Sequence, residues 1–118
     1  MLEFAHKKLD VWKLGKELIA DIYALTESFP KSEIFGLTNQ LRRASVSIVS
    51  NISEGASRSS SVERKRFFTI ARSSLVEIDT QIEIALSLDF LTERDLEKID
   101  TKVNTLFAML TNLIKKTA

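Results

Sequence analysis

Cysteine is absent from the 118-residue sequence, which excludes a disulfide framework, a thiolate metal site and a cysteine nucleophile. Proline occurs once and glycine three times. A chain of many short strands needs turn residues every ~8–12 positions, so this scarcity of backbone punctuation favours a few long elements. Histidine also occurs once, at His6, and the Glu-x-x-His spacing of metal centres in helical bundles is missing. No apolar run approaches the ~18 residues of a membrane span, and Met1 to Asp10 lacks the apolar stretch of a signal peptide. The expectation is a cytoplasmic protein with no membrane partner. Asn51-Ile52-Ser53 has the form of a glycosylation sequon, which that expectation makes a coincidence.

What is present has the balance of a folded domain: 44% hydrophobic and 28% charged residues, in a chain of ordinary domain length. A single domain over residues 1–118 is expected. Net charge is only +1, but it is unevenly spread. Residues 1–41 hold five basic and six acidic residues, net −1; residues 42–72 hold seven and two, net +5; residues 73–114 hold three and eight, net −5. The middle is basic and the second half acidic.

Apolar residues recur at steps of three and four, which keeps them on one face of a helix with 3.6 residues per turn. The first stripe is Val11, Gly15, Leu18, Ile22, Leu25 and Phe29, widened by Trp12, Ile19 and Tyr23, with Asp10 as N-cap and Pro30 as the stop. The second is Leu37, Leu41, Ala44, Ile48 and Ile52, flanked by small residues that let a neighbour come close, with Gly55 as the positive-φ residue that ends it. Ser60-Ser61-Val62-Glu63 reads as a capping box before Phe67, Ala71, Ser74 or Leu75, Ile78, Ile82 and Ala85. A weaker box, Thr92 to Asp95, opens the last stripe: Leu96, Ile99, Val103, Leu106, Leu110 and Leu113. Helices are therefore predicted over roughly 10–29, 34–54, 61–88 and 93–116. Matched lengths and short loops predict an all-α, up-and-down antiparallel four-helix bundle. Val46, Val49, Phe68, Phe90 and Phe107 lie off these stripes; they either widen the core or cover an interface, and self-association is expected.

No serine has a nearby general base, no glycine-rich phosphate loop occurs, and nothing in the spacing sets two of Glu54, Glu77 and Glu83 about a cleft. A non-enzymatic protein is expected, with no catalytic residue, cofactor or metal ligand assigned. The informative feature is arginine: six of seven fall between Arg42 and Arg72. A guanidinium presents a planar fork of donors suited to phosphate. Arg58, Arg64, Lys65, Arg66 and Arg72 form the candidate nucleic-acid set. The plainer reading is a solvated or acid-paired face, with Arg42 or Arg43 bridging to Glu77 or Glu83 on the next helix.

Several linked strings carry a resemblance. Leu9-x-Val11-Trp12 precedes Phe29-Pro30-x-x-Glu33-x-Phe35-Gly36-Leu37. Gln40-Leu41-Arg42-Arg43-Ala44 leads through Ser47-Ile48 to Asn51-Ile52-x-Glu54-Gly55-x-x-Arg58, and Phe67-Phe68-x-Ile70-Ala71-x-x-Ser74-Leu75-x-Glu77 is followed by Gln81. Over roughly residues 4–115 the chain resembles the four helix bundle proteins, also called 23S rRNA-intervening sequence proteins, encoded within bacterial ribosomal RNA genes and elsewhere. The resemblance implies a ring-like homopentamer. A related group, the accessory variability proteins of diversity-generating retroelements, implies a basic surface that meets reverse transcriptase and nucleic acid, so the partners implied are the chain itself, RNA or DNA, and a protein such as a reverse transcriptase. The resemblance also gives context to Arg42, Arg43, Asn51, Glu54, Gly55 and Arg58. Gln40, Asn51, Glu54 and Gln81 are read as polar groups that fix helix register or subunit contacts, and Gly55 as shaping the turn. The alternative reading is a homo-oligomeric interaction scaffold without a nucleic-acid role, with Glu83, Glu93, Asp95, Glu97 and Asp100 as its partner surface.

Overall fold

A computed structural model of the chain describes residues 9–117; His6 lies outside the described residues. Four α-helices follow one another: α1 (Asp10–Thr26), α2 (Leu37–Ser57), α3 (Ser61–Ser87) and α4 (Glu97–Lys116). Short 3-10 turns, Lys31–Glu33 and Glu93–Leu96, lead into α2 and α4. Each helix packs antiparallel on the next, and α4 closes the square against α1. The bundle measures 44 × 27 × 20 Å.

The 3-4 spaced stripes face one interior. Leu18, Ile22, Leu41, Ile48, Ile52, Leu75, Ile78, Leu106 and Leu110 have essentially no exposure. At roughly 1.5–3 kcal/mol for each such side chain, the burial outweighs any single polar contact in the molecule. Of the off-stripe residues, Phe68 is buried, Val49 is half-buried beside Gly15, and Phe90 packs on Phe29 at 5.7 Å between ring centres. Those three widen the core. Val46 and Phe107 stay exposed.

α2 and α3 form the most intimate pair, as small side chains on both permit. Ser45 and Ala71 are fully buried, and the hydroxyls of Ser47 and Ser74 meet at 3.0 Å across the helix–helix seam. α1 and α4 are joined by Lys102, whose ammonium lies 2.6 Å from the Asp21 carboxylate.

Several expected boundaries move. α1 ends at Thr26, three residues before Phe29. The Thr26 hydroxyl donates back to the carbonyls of Ile22 and Tyr23, and the chain then turns to drop Phe29 into the core. Leu9, not Asp10, is the N-cap, and no side chain caps α1. α2 starts at Leu37, whose amide is capped by the Glu33 carboxylate at 3.1 Å, and runs on to Ser57. Gly55 is thus inside α2 and has no positive φ. A Cβ there would come within 2.7–2.9 Å of the Phe68 ring, so close packing rather than turn geometry requires glycine. Ser60 accepts from the Glu63 amide as a true N-cap, while the Glu63 carboxylate turns to Arg66. The Thr92–Asp95 box is complete, but it starts the 3-10 turn and α4 proper begins at Glu97.

Candidate nucleic-acid interface

Only Arg58, Ser59 and Ser60 join α2 to α3. A connection this short holds the last turn of one helix beside the first turn of the next, which gathers four of the five candidate cations. Arg64 is half-buried and folds back on the loop, donating to the carbonyls of Arg58 at 3.2 Å and Ser59 at 2.9 Å. It satisfies two carbonyls of the connecting loop, just beyond the last residue of α2. Arg58 pairs with Glu54 at 3.1 Å and lies 4.9 Å from the centre of the Phe67 ring. Arg66 lies over the same ring at 5.6 Å and pairs with Glu63 at 3.7 Å. Lys65 is exposed, and its ammonium has no ion pair or hydrogen bond among the described residues. The pairs of Arg58 and Arg66 are solvent-exposed, where an ion pair contributes ~0–1 kcal/mol, so a phosphate can displace either carboxylate at little cost.

Arg72 stands apart. Its guanidinium donates to the Thr111 hydroxyl at 3.2 Å and rests 5.7 Å from the Phe107 ring on α4. The fifth candidate therefore serves the α3–α4 contact.

Two lysines complete the cluster in its place. The Arg72–Thr111 contact fixes the antiparallel register of α3 and α4, which brings the exposed Lys115 and Lys116 level with Phe68 and Phe67, within a turn of Lys65 and Arg66. Likewise the Trp12 indole donates to Ser53 at 3.0 Å, setting the start of α1 beside the end of α2. Alternating helix direction was enough to foresee the lysines: in an up-and-down bundle the fourth helix ends where the third begins. The opposite end carries Glu27, Glu33, Glu83, Asp89, Glu93 and Asp95. There the Thr92 amide, followed by its hydroxyl, holds the Asp95 carboxyl below the usual carboxylate range.

The remaining motif residues line the seams. Arg42 is half-buried against the end of α1: it donates to the Thr26 hydroxyl at 2.9 Å and the Tyr23 carbonyl at 3.4 Å, stacks on Tyr23, and pairs with Glu27 at 3.6 Å. Its partner is thus Glu27, not Glu77 or Glu83; at this register Arg42 faces α1, and a cation there complements the helix C-terminus. Arg43 and Glu77 face one groove of about 340 Å³ between α2 and α3, together with Gln40, Ser47 and Gln81, but form no ion pair. Asn51 donates to the carbonyl and hydroxyl of Ser47 within its own helix. The Gln81 side-chain oxygen is buried without a hydrogen-bond partner.

Residues 7–112 match the sequence model of the 23S rRNA-intervening sequence protein family. No curated protein matches the chain. Among solved structures, a crystal structure of a protein of unknown function from the S23 ribosomal protein family of Bacteroides thetaiotaomicron superposes with a TM-score of 0.79 at 21% identity. The match covers 90% of this chain and 99% of that one, and shows a shared fold.

Proposed function

Because the chain belongs to the 23S rRNA-intervening sequence protein family, we propose that it is a non-enzymatic, self-associating bundle whose basic end grips nucleic acid by its phosphates. The observation that carries this reading is the gathering of Arg58, Lys65, Arg66, Lys115 and Lys116 at one end, away from the acidic end. Contacts of this kind go to the backbone and read no bases. The Phe67 ring between two guanidinium groups holds their planes in place, which lowers the ordering cost of binding. In a homopentameric ring the same end is repeated five times, so weak contacts add through avidity.

The test is fluorescence anisotropy with single-stranded RNA and duplex DNA across a salt series. Affinity should fall linearly on a log–log plot, and Lys65→Gln with Arg66→Gln should reduce the magnitude of the slope by about 1.4 for single-stranded RNA and about 1.8 for duplex DNA. Absence of binding at low salt, or a slope unmoved by both changes, would sink the proposal. A second reading rests on the other end, where Asp79, Glu83 and Asp100 rim a small crevice floored by Ile82, Ile99 and Val103. That is a surface for a basic protein partner, and co-purification of one that survives nuclease treatment would favour it.

A further inference from the structure

The outer wall made by α2 and α3 is unusual for helices facing water. On α3 the exposed positions Ile70, Ser73, Glu77, Thr80 and Ile84 follow steps of three and four along one stripe, and only Glu77 is charged. On α2 the matching stripe is Asn39, Arg43, Val46 and Ser50, and only Arg43 is charged. Solvated helix faces ordinarily carry many charges, whereas the centres of protein interfaces are depleted of them. Val46, Ile70 and Ile84 are 41%, 38% and 44% exposed, and so offer apolar area on that wall.

Between the stripes runs the groove that Arg43 and Glu77 share. Neither side chain has an ion pair or hydrogen bond among the described residues. Gln81, whose buried side-chain oxygen lacks a donor, lines the same groove. Buried acceptors in folded chains are nearly always satisfied, so the isolated chain leaves this groove incomplete.

We propose that this wall is where a second copy of the chain docks, with Arg43 of each copy pairing with Glu77 of another. The inference rests on the self-association proposed above and gives it a surface. Charge decides the occupant. A polyanion would need a surplus of cations, and an acidic or basic peptide a surplus of one sign. This wall holds one cation and one anion, both unpaired, and a second copy supplies the complement of each. The slender ridge of Ser47 and Ser50 on α2 lets a helix of that copy approach closely. The pairing can be met about a two-fold axis or around a ring.

Light scattering and sedimentation of the full-length chain test it, with circular dichroism to verify that the variants fold. Arg43→Glu and Glu77→Arg should each weaken self-association at least tenfold, since each sets like charges against one another. Mixing these two variants in equal amounts should restore association between unlike copies, because each then supplies what the other lacks; an odd-numbered ring would still join two like copies at one contact and close less well than the wild-type chain. The doubly exchanged variant should assemble alone, and Ile70→Ser should weaken assembly without altering charge. Assembly indifferent to both reversals leaves self-association standing but removes this wall from it. Recovery in the doubly exchanged variant with no association between unlike copies in the mixture would mean pairing within one chain, and would overturn the proposal. A wild-type chain that stays monomeric at every concentration removes self-association itself, and this wall with it.

Discussion

Gly55 lies inside α2 with the ring of Phe68 where its Cβ would be, and Asp89 takes φ +58°, a value most comfortable for glycine, just past the end of α3. The Phe90 amide reaches back to the Ala85 carbonyl at 3.0 Å and the Asp89 amide to Leu86 at 3.1 Å, the hydrogen bonds of a helix closed by a left-handed residue. Opposite outcomes follow for two small changes. Gly55→Ala gains up to ~1 kcal/mol of helix propensity but forces the buried ring aside, and overpacking of this kind costs ~1–3 kcal/mol. A net loss of about 1–2 kcal/mol is expected in urea denaturation, with part of it recovered when Phe68→Leu is added. Asp89→Gly should raise stability by about 0.5–1 kcal/mol, because glycine holds that conformation without Cβ strain. The sequence singled out Gly55 for the wrong reason, since a cross-helix distance of under 3 Å leaves no mark in one chain's spacing, and nothing in it marked Asp89 as the left-handed residue. The same holds for Arg42: its type was informative, but its partner depends on which way one helical position points.

For whole elements the sequence was nearly sufficient, because a 3.6-residue period written over several turns fixes which face is buried. Adjacent residues on α4 make the point. Leu106 is fully buried and Phe107 is 41% exposed over Arg72. Leu106→Ala should cost about 2–5 kcal/mol, and Phe107→Ala within about 1 kcal/mol, despite the larger side chain removed. Element ends were less legible, as they are set by single hydrogen bonds: the Thr26 hydroxyl ends α1 early, and the Glu33 carboxylate delays α2. The turn before α4 carries a pH signature of the same local kind. Asp95 is held below the usual carboxylate range by the Thr92 amide and hydroxyl, so its folded form binds a proton less readily than its unfolded form. Its contribution is therefore complete above the ordinary carboxylate pKa and fades as pH falls through the lower folded value. The difference in stability between the wild-type chain and Asp95→Asn should be constant near neutrality and shrink only in acid, as denaturation at several pH values would read.

Across the whole molecule, folding converts a linear charge pattern into a polar one. The basic segment and Lys115–Lys116 reach the same end because chain direction alternates from helix to helix, while Glu83, Asp89, Glu93 and Asp95 collect at the other. A net charge of +1 hides this arrangement, since the ends nearly cancel. If binding of nucleic acid followed net charge, neutralising acids anywhere would strengthen it as effectively as neutralising bases would weaken it. If it is carried by the basic end, position decides, because screening confines exposed charges to a reach of about 8–10 Å at ordinary salt, against a 44 Å molecule. Changing Lys65, Arg66, Lys115 and Lys116 together to glutamine should lower the salt slope for single-stranded RNA by about 3, from ~0.7 per lost contact. Changing Glu83, Glu93, Glu97 and Asp100 to their amides shifts net charge by the same amount in the other direction, yet should leave the slope within error of the wild-type chain. Equal and opposite effects in the two variants would show that the total charge, and not the end of the bundle, meets the phosphates.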